Sequence, residues 1–502
     1  MAIMNINIGK LLQNRAVLMG EKEAFVHQSK RWTFRQMNER ANGFANYLEE
    51  LGLVKGDRIG LLCKNNEDFV AVLMGAAKIG VVTVVLNWRL QVAELQYIVE
   101  HSKVKLVVHD VDFKPAVSAL QELRALDYVI SNETEPALKT IFKGNINEPQ
   151  YSAHDDDVAL IMYTSGTTGK PKGAMISHNN LLAAGIGLSQ TIDWWEGDRF
   201  LMVAPFFHIG GIAPLITNIM CGSTMVFMEA FEPMAAWQII KDEKITTMMT
   251  VPTMLMYLLK TYEVANADVS SIRNITCGAS SVPAPLILGF RQLGIPVQQV
   301  YGITEYTGAV TMWKEQMNKD KFDSMGKSVM HGEMRIVDVK SGNELPAGEV
   351  GEILLRGPQV FVGYFENSEA TLRVLKDGWY YTGDVGYIDS EGYLYVVDRM
   401  KDMIISGGEN IYSAELELVL STHPNVADVA VIGVPDEKWG EIPRAYIVAT
   451  SEASISEEEI IHFCKEKLAS YKAVKEVMLV EQLPRNAVGK LLKHQLKQTV
   501  TQ

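Results

Sequence analysis

The sequence predicts an α/β protein of two domains: a large N-terminal domain of mixed sheets and helices, then a small α+β domain at the C-terminal end. Three observations predict it. Helical and strand patterns alternate through the first part of the chain, as in βαβ units that build a mostly parallel, helix-covered sheet. After Gly351 that alternation gives way to short strands with glycine-containing turns. A length of 502 residues also exceeds what a single hydrophobic core organises.

The elements follow in order. TFRQMNERANGFANYLEELG, from Thr33 to Gly52, opens on a capping residue, ends on glycine and carries apolar residues at helical spacing. DRIGLLC, from Asp57 to Cys63, reads as a strand. EDFVAVLMGAAKIG is a second helix, and VVTVVLN and VKLVVHD (Val104 to Asp110) are further strands. The apolar run from Val158 to Met162 is another. GEILLRGP and YYTGDVGYIDSEGYLYVVDR have the length and turn chemistry of antiparallel strands. The last hundred residues have their own β and α patterns, VADVAVIGV and EEEIIHFCKEKLASY among them. The expected division is residues 1–400 and 401–502. No Gly/Ser tether precedes Lys401, so the joint is a short hinge.

Composition removes some functions. A net charge of −13 argues against a general nucleic-acid binder, which needs basic surface. Cys63, Cys221, Cys277 and Cys464 stand far apart with no CxxC, so neither a zinc site nor a disulfide framework is expected. Reduced thiols, no signal peptide, no run of eighteen apolar residues and no lipidation signal set the expectation of a cytoplasmic chain without an integral membrane segment.

YTSGTTGKPKG, from Tyr163 to Gly173, is poor material for a core. Glycines let backbone N–H groups approach phosphate oxygens, while hydroxyls add donors and lysines add charge. It is not a Walker A loop, because Gly169-Lys170 is followed by Pro171 and the required first glycine is Thr164. On local composition alone, a flexible surface turn stays open.

This stretch closely resembles the phosphate loop of the adenylate-forming superfamily: acyl-CoA synthetases, luciferases and the adenylation domains of peptide synthetases. Four more motifs stand in that family's order. They are YGITE (Tyr301 to Glu305), YTGD (Tyr381 to Asp384), DRMKDMIISGGENIYSAELE from Asp398, and PRNAVGKLLK (Pro484 to Lys493). The resemblance covers nearly the whole chain and looks closest to bacterial fatty acyl-CoA ligases.

The resemblance implies a mobile C-terminal domain and a reaction in two halves. A carboxylate attacks the α-phosphate of ATP and expels pyrophosphate; the thiol of coenzyme A then attacks the acyl-adenylate and expels AMP. Thr164, Ser165, Gly166, Thr167, Thr168, Gly169, Lys170 and Lys172 would cradle phosphate. Gly278, Ala279 and Ser280, in CGASS, would lie against adenine, with Tyr301 and Gly302 beside it. Thr304 would hold phosphate or the acyl carboxylate, and Glu305 would bind Mg2+. Asp384 would accept the ribose hydroxyls, with Arg399 a second ribose contact. Lys490 would bridge the carboxylate substrate and the phosphate during adenylation. Lys401 would be the hinge. Rotation there would withdraw Lys490 and bring in Gly407 and Gly408, which leave a passage for the pantetheine arm, with Trp439 near that tunnel or simply packed.

His208, in PFFHIGG, resembles the gate of the acyl pocket, with Gly210, Gly211 and Ile303 nearby. Two glycines after it read as room for an extended chain. TVPTMLMYLL, from Thr250 to Leu259, is apolar and methionine-rich, and core packing explains it equally well. No lysine or arginine stands in either stretch to pair with a second carboxylate. A medium- to long-chain fatty acid is the expected substrate. An aryl or alicyclic acid, or an adenylation enzyme loading a carrier protein, is the alternative. A homodimer and peripheral membrane contact stay open, although no strong basic amphipathic helix is present. Ser413 stands where many members of the family have proline, and Val488 where many have serine or threonine; neither is expected to supply chemistry.

Overall fold

The computed structural model describes residues 7–500 apart from 124–127, 155, 165–169, 281, 407–408, 451–454, 471 and 486–490. The chain forms two compact units, one of residues 1–334 and 355–380, the other of residues 335–354 and 381–502. Compactness and the motif-based division at Lys401 are different cuts. The strand that ends at Arg399 groups with the smaller unit because Asp384 pairs with Arg399 and Asp398 is bonded to Ser413.

The alternation in the first part builds two mostly parallel sheets in the first unit. One has nine strands in the order Lys327–Ser328, Gly308–Trp313, Val297–Ile303, Asn274–Cys277, Thr247–Thr250, Arg199–Met202, Thr224–Phe227, Glu23–His27, Lys30–Thr33. Its pairings are parallel from Val297–Ile303 through Glu23–His27 and antiparallel at both ends. The other has seven, ordered Gly363–Tyr364, Lys172–Ser177, Val158–Thr164, Val82–Val85, Arg58–Leu62, Leu106–His109, Val129–Ile130. It is parallel from Val158–Thr164 onward and antiparallel before. Periodicity marks each strand but carries no record of which sheet it joins, because the chain leaves the first sheet after Thr33 and re-enters it at Arg199.

Local chemistry explains the helices between them. Helix Phe34–Glu50 starts where expected, because Thr33 and Gln36 form a reciprocal capping box. Helix Glu67–Lys78 packs on it and ends in a fully buried lysine. Lys78 Nζ donates to Asn38 Oδ1 at 2.7 Å and Asn42 Oδ1 at 2.5 Å, both on the first helix, and to Glu148 Oε2 at 2.8 Å. Burial lowers the pKa of this ammonium, and Glu148 opposes that shift. Among the described residues no helix is long and apolar enough to cross a membrane.

In the second unit, strands Val426–Asp436 and Gly440–Ala449 form a long antiparallel pair. Glu476–Leu479 adds parallel to the latter, and Ile404–Ser406, paired with Glu409–Ile411, meets the start of the same strand at Gly440. Helices Ser413–Leu420 and Glu457–Lys467 cover one face through Leu416, Leu420, Ile460 and Cys464. Leu496, on helix Lys493–Val500, packs with Ala430, Ile432, Val434 and Tyr446 on the opposite face.

Replacing Lys78 with alanine is expected to cost about 3 kcal/mol, because Glu148, Asn38 and Asn42 then lose a shared donor inside the first unit. A thermal scan should show the transition of that unit falling by several degrees; an unchanged transition would mean that this network contributes nothing net.

Candidate active site

The glycine-rich stretch is the tip of a hairpin. Strands Val158–Thr164 and Lys172–Ser177 are antiparallel, with Thr164 opposite Lys172 and Tyr163 opposite Gly173. Those pairs form the neck, and Ser165, Gly166, Thr167, Thr168 and Gly169 lie outside the described residues. Aromatic side chains brace the neck. Tyr97 Oη donates to Pro171 O at 3.3 Å, and Tyr163 Oη is 2.7 Å from His101 Nδ1. Burial raises the pKa of the Tyr163 phenol. The two lysines diverge: Lys170 Nζ lies 5.4 Å from the Tyr97 ring centroid, and Lys172 Nζ lies 5.0 Å from that of Tyr364.

YGITE runs off the end of strand Val297–Ile303 into a single turn, Thr304–Tyr306, before the chain returns as Gly308–Trp313. The pairing of those strands shifts register between Tyr301 and Gly302, which turns the motif out of the sheet. Thr307 takes a left-handed φ of 53°, and its hydroxyl donates to Gln359 O at 2.7 Å. Glu305 is thereby held on two sides. Its carbonyl accepts from Phe361 N at 2.9 Å, and its side-chain Oε1 accepts from Tyr364 Oη at 2.8 Å.

Both side chains are nearly buried, Glu305 at 8% exposure and Tyr364 at 7%. Burial, and then the adjacent carboxylate, push the Tyr364 phenol up, so the phenol stays a donor. Among the described residues Glu305 has no cation within ion-pair distance. A nearly buried carboxylate with one neutral donor fits a hard divalent cation that takes its remaining ligands from phosphate and water. No cluster of three or more His, Cys, Asp or Glu gathers among the described residues, so the protein would supply few ligands of its own.

The adenine candidates lie at neighbouring strand ends of the same sheet. Strand Asn274–Cys277 runs parallel to Val297–Ile303, with Cys277 opposite Gln299. Gly278 comes next, and a Cβ there would sit 2.4 Å from Val300 Cγ1 and 2.7 Å from Val300 O, so only glycine fits. Ala279 has φ of 70° and is exposed, as is Ser280; Ser281 lies outside the described residues. Tyr301 and Gly302 flank this turn at the carboxyl ends of the strands, where open α/β sheets bind ligands.

His208 precedes helix Ile209–Cys221, is half-buried and packs against Phe207 with ring centroids 4.6 Å apart. The two glycines that read as room behave differently. A Cβ on Gly210 would meet nothing within 4 Å, whereas one on Gly211 would lie 2.5 Å from Pro205 O. Gly211 is therefore a packing requirement, and open space lies at Gly210 alone. Ile209 and Ala213 on this helix lie against Gly308, which brings it to the YGITE turn and half-buried Ile303. In TVPTMLMYLL the leucines Leu255 and Leu258 are fully buried in a core with Trp237 and Phe290, so packing accounts for that half of the segment.

In the second unit Asp384 and Arg399 face each other across antiparallel strands, with Arg399 Nε 3.2 Å from Asp384 Oδ1. Asp384 is nearly buried and Arg399 is half-exposed, so the pair that the sequence left open as an ion pair is one. Lys401 follows in a turn, its carbonyl accepting from Lys497 Nζ at 3.2 Å. Burial lowers the pKa of its ammonium. Trp439 is 46% exposed, and Asp436 Oδ1 accepts from its backbone N–H at 2.8 Å, so it is displayed rather than packed. Gly407, Gly408 and Lys490 lie outside the described residues. Tyr364 was missed by sequence reading. Its only signal is a tyrosine after glycine on a two-residue strand, and nothing there announces a partner 59 positions away.

A profile of the family described as AMP-binding enzyme matches residues 12–365, and one of the AMP-binding enzyme C-terminal domain matches residues 415–490. The chain is 38% identical to a 2-succinylbenzoate–CoA ligase of Bacillus licheniformis over 97% of its length and 98% of that protein's. It is 36% identical to the long-chain-fatty-acid–CoA ligase FadD13 of Mycobacterium tuberculosis, with 98% of each chain covered. Among solved structures, the O-succinylbenzoate coenzyme A synthetase of Bacillus subtilis in complex with ATP and magnesium superposes with a TM-score of 0.87. That protein is 33% identical, over 98% of this chain and 99% of that one.

Tyr364→Phe keeps the ring under Lys172 and removes the donor from Glu305. It is expected to cost about 1–3 kcal/mol, the penalty for leaving a buried carboxylate without its hydrogen bond. Differential scanning calorimetry would register this as a lower first transition; a wild-type transition would show that water replaces the phenol.

Proposed function

The chain belongs to the AMP-binding enzyme family and is an AMP-forming acid–thiol ligase, and on that premise we propose that its substrate is a medium- to long-chain fatty acid, activated with ATP and transferred to coenzyme A. The observation that carries the reading is the meeting of Glu305, Tyr364 and Lys172 beside the neck of the glycine-rich hairpin. A carboxylate with no ion-pair partner among the described residues accepts from a tyrosine whose ring faces the Lys172 ammonium.

In the first half-reaction a carboxylate oxygen of the acid forms a bond to the α-phosphorus. The bond from that phosphorus to the bridging oxygen breaks, and pyrophosphate leaves. Lys172 and the hairpin backbone stabilise phosphate charge, and Thr304 orients the acid or the phosphate. Glu305 would hold Mg2+, which supplies charge neutralisation between the phosphates. Tyr301, Gly278, Ala279 and Ser280 receive the base, and Asp384 with Arg399 the ribose. In that role Asp384 exchanges part of its ion pair for two hydroxyl donors. Lys490 approaches the carboxylate and phosphate from the smaller unit. In the second half the thiolate sulfur attacks the acyl carbon and the bond to AMP oxygen breaks. Gly407 and Gly408 line the path of the arm, Trp439 lies beside it, and Lys401 is the hinge between the two states.

The fatty-acid reading rests on the open space at Gly210 beside His208 and on the adjoining apolar helix. An aryl acid is the second reading, favoured by the similarity to succinylbenzoate ligases.

AMP release from ATP and Mg2+ across fatty acids of increasing length and several aryl acids, with and without coenzyme A, tests both. Release that needs coenzyme and peaks on one range of alkyl chains supports the proposal. A peak on aryl acids replaces it with the second reading, and acid-dependent pyrophosphate without coenzyme-dependent AMP points to a carrier protein as acceptor. Lys490→Ala should lose adenylation by roughly 100-fold or more while thioesterification of supplied acyl-adenylate persists. Equal loss in both halves would remove Lys490 from the first.

A further inference from the structure

Ser413 was expected to supply no chemistry, yet it sits at the centre of a buried polar chain. It is fully buried at the first residue of helix Ser413–Leu420. Its Oγ donates to Asp398 Oδ2 at 2.8 Å, and the same oxygen accepts from Ala414 N at 3.2 Å. Lys493 Nζ donates to Ser413 Oγ at 2.6 Å and pairs with Glu417 Oε1 at 2.7 Å. That Glu417 oxygen also accepts from Val431 N at 2.7 Å. Burial raises the pKa of the Glu417 carboxyl, and Lys493 opposes the shift. An ammonium has donors only, so the serine hydroxyl accepts from Lys493 and passes its own proton toward Asp398. Proline at this position could do neither.

The chain joins two places that the reaction must coordinate. Asp398 lies three residues before Lys401, and Lys493 three residues after Lys490. Helix Lys493–Val500 also reaches Lys401 directly, through Lys497 Nζ on its carbonyl at 3.2 Å. The other end of segment 486–490 is equally fixed. Arg485 forms an antiparallel bridge with Leu491, Pro484 O accepts from Leu492 N at 2.8 Å, and the Arg485 guanidinium holds both oxygens of Asp428 at 2.7 and 2.8 Å.

We propose that Ser413 and Lys493 are positioning residues for adenylation: their buried chain, from Asp398 to Glu417, ties the base of the loop that carries Lys490 to the segment entering the hinge at Lys401. The inference rests on the reading of Lys490 as the adenylation lysine. A ten-residue span with both ends anchored holds its tip to a narrower range than one anchored only by the chain, and an ångström of misplacement in such a group costs up to roughly 100-fold in rate. The chain is internal to one unit, and the residues it bonds there flank segment 486–490.

The test uses the full-length enzyme and measures each half-reaction separately for Ser413→Ala, Ser413→Thr, Lys493→Met, Lys493→Arg and Lys490→Ala. Acid-dependent pyrophosphate formation is expected to fall roughly 10-fold in Ser413→Ala and Lys493→Met. Thioesterification of supplied acyl-adenylate should stay within about twofold of wild type, since Lys490 has left by then. Ser413→Thr, which keeps the hydroxyl, should restore adenylation. Parallel loss of both halves, or no loss, with Lys490→Ala selective for adenylation, overturns the proposal and leaves the assignment of Lys490 intact. Loss of selectivity in Lys490→Ala itself overturns that assignment, and this inference with it. Should Ser413→Ala fold poorly, Lys493→Met, changed at a less deeply buried member of the chain, decides alone.

Discussion

The hydrogen bond from Tyr364 to Glu305 joins the two sheets of the first unit at the place where chemistry is proposed. Glu305 belongs to the turn that leaves the nine-stranded sheet, and Tyr364 to the edge strand of the seven-stranded one. Tyr364 lies opposite Ala174, on the strand that begins with Lys172 at the neck of the hairpin. This O–H···O contact, with Phe361 N on Glu305 O, ties the acidic turn to the segment that pairs with the neck of the hairpin. A buried carboxylate would ordinarily call for a cation from the protein, and among the described residues none is paired with it. The phenol supplies geometry without neutralising charge, which leaves the charge available to a metal ion. A lysine or arginine in its place would satisfy the carboxylate and remove its reason to bind one.

Much of this was legible in the sequence, and for different reasons at different places. Thr33 with Gln36 is a local device, complete within four residues, so the start of helix Phe34–Glu50 could be read directly. The strand Val158–Thr164 was legible as an apolar run, and the crowd of glycines and hydroxyls after it as a loop. What could not be read was long-range. The split into two sheets depends on which strands meet after more than a hundred intervening residues. Tyr364 acquires meaning only from Glu305, and Gly211 looked like open space until Pro205 O was found where its Cβ would be. Ser413 is the sharpest case. Compared with proline it reads as a neutral departure, because its two partners lie fifteen residues before it and eighty residues after it.

The two glycines after His208 show how one residue type carries opposite information. Gly210 has nothing within reach of a Cβ, so its smallness leaves volume. Gly211 faces backbone, so its smallness permits contact. On the proposed reading, substrate length would be governed by the first kind. A side chain at position 210 would project into the space beside His208 without disturbing the helix, whereas one at 211 would displace the chain at Pro205. Chain-length preference should therefore respond to position 210, and stability to position 211.

The smaller unit poses a different physical problem. On the proposed mechanism one site serves two reactions, and a lysine must reach it for the first and leave it for the second. A lysine on a long stem satisfies the first demand only if its loop is held firmly, and the second only if everything holding it travels with it. Interactions between a moving unit and the rest of the protein would not meet both demands, because they would have to break at each turnover. Interactions inside the moving unit can. Asp398, Ser413, Lys493 and Glu417 all belong to that unit, as do Arg485 and Asp428 on the other side of the loop. On the proposed mechanism, bonds of this kind survive a hinge rotation, and the geometry they would preserve accounts for a buried polar chain that is costly for stability alone.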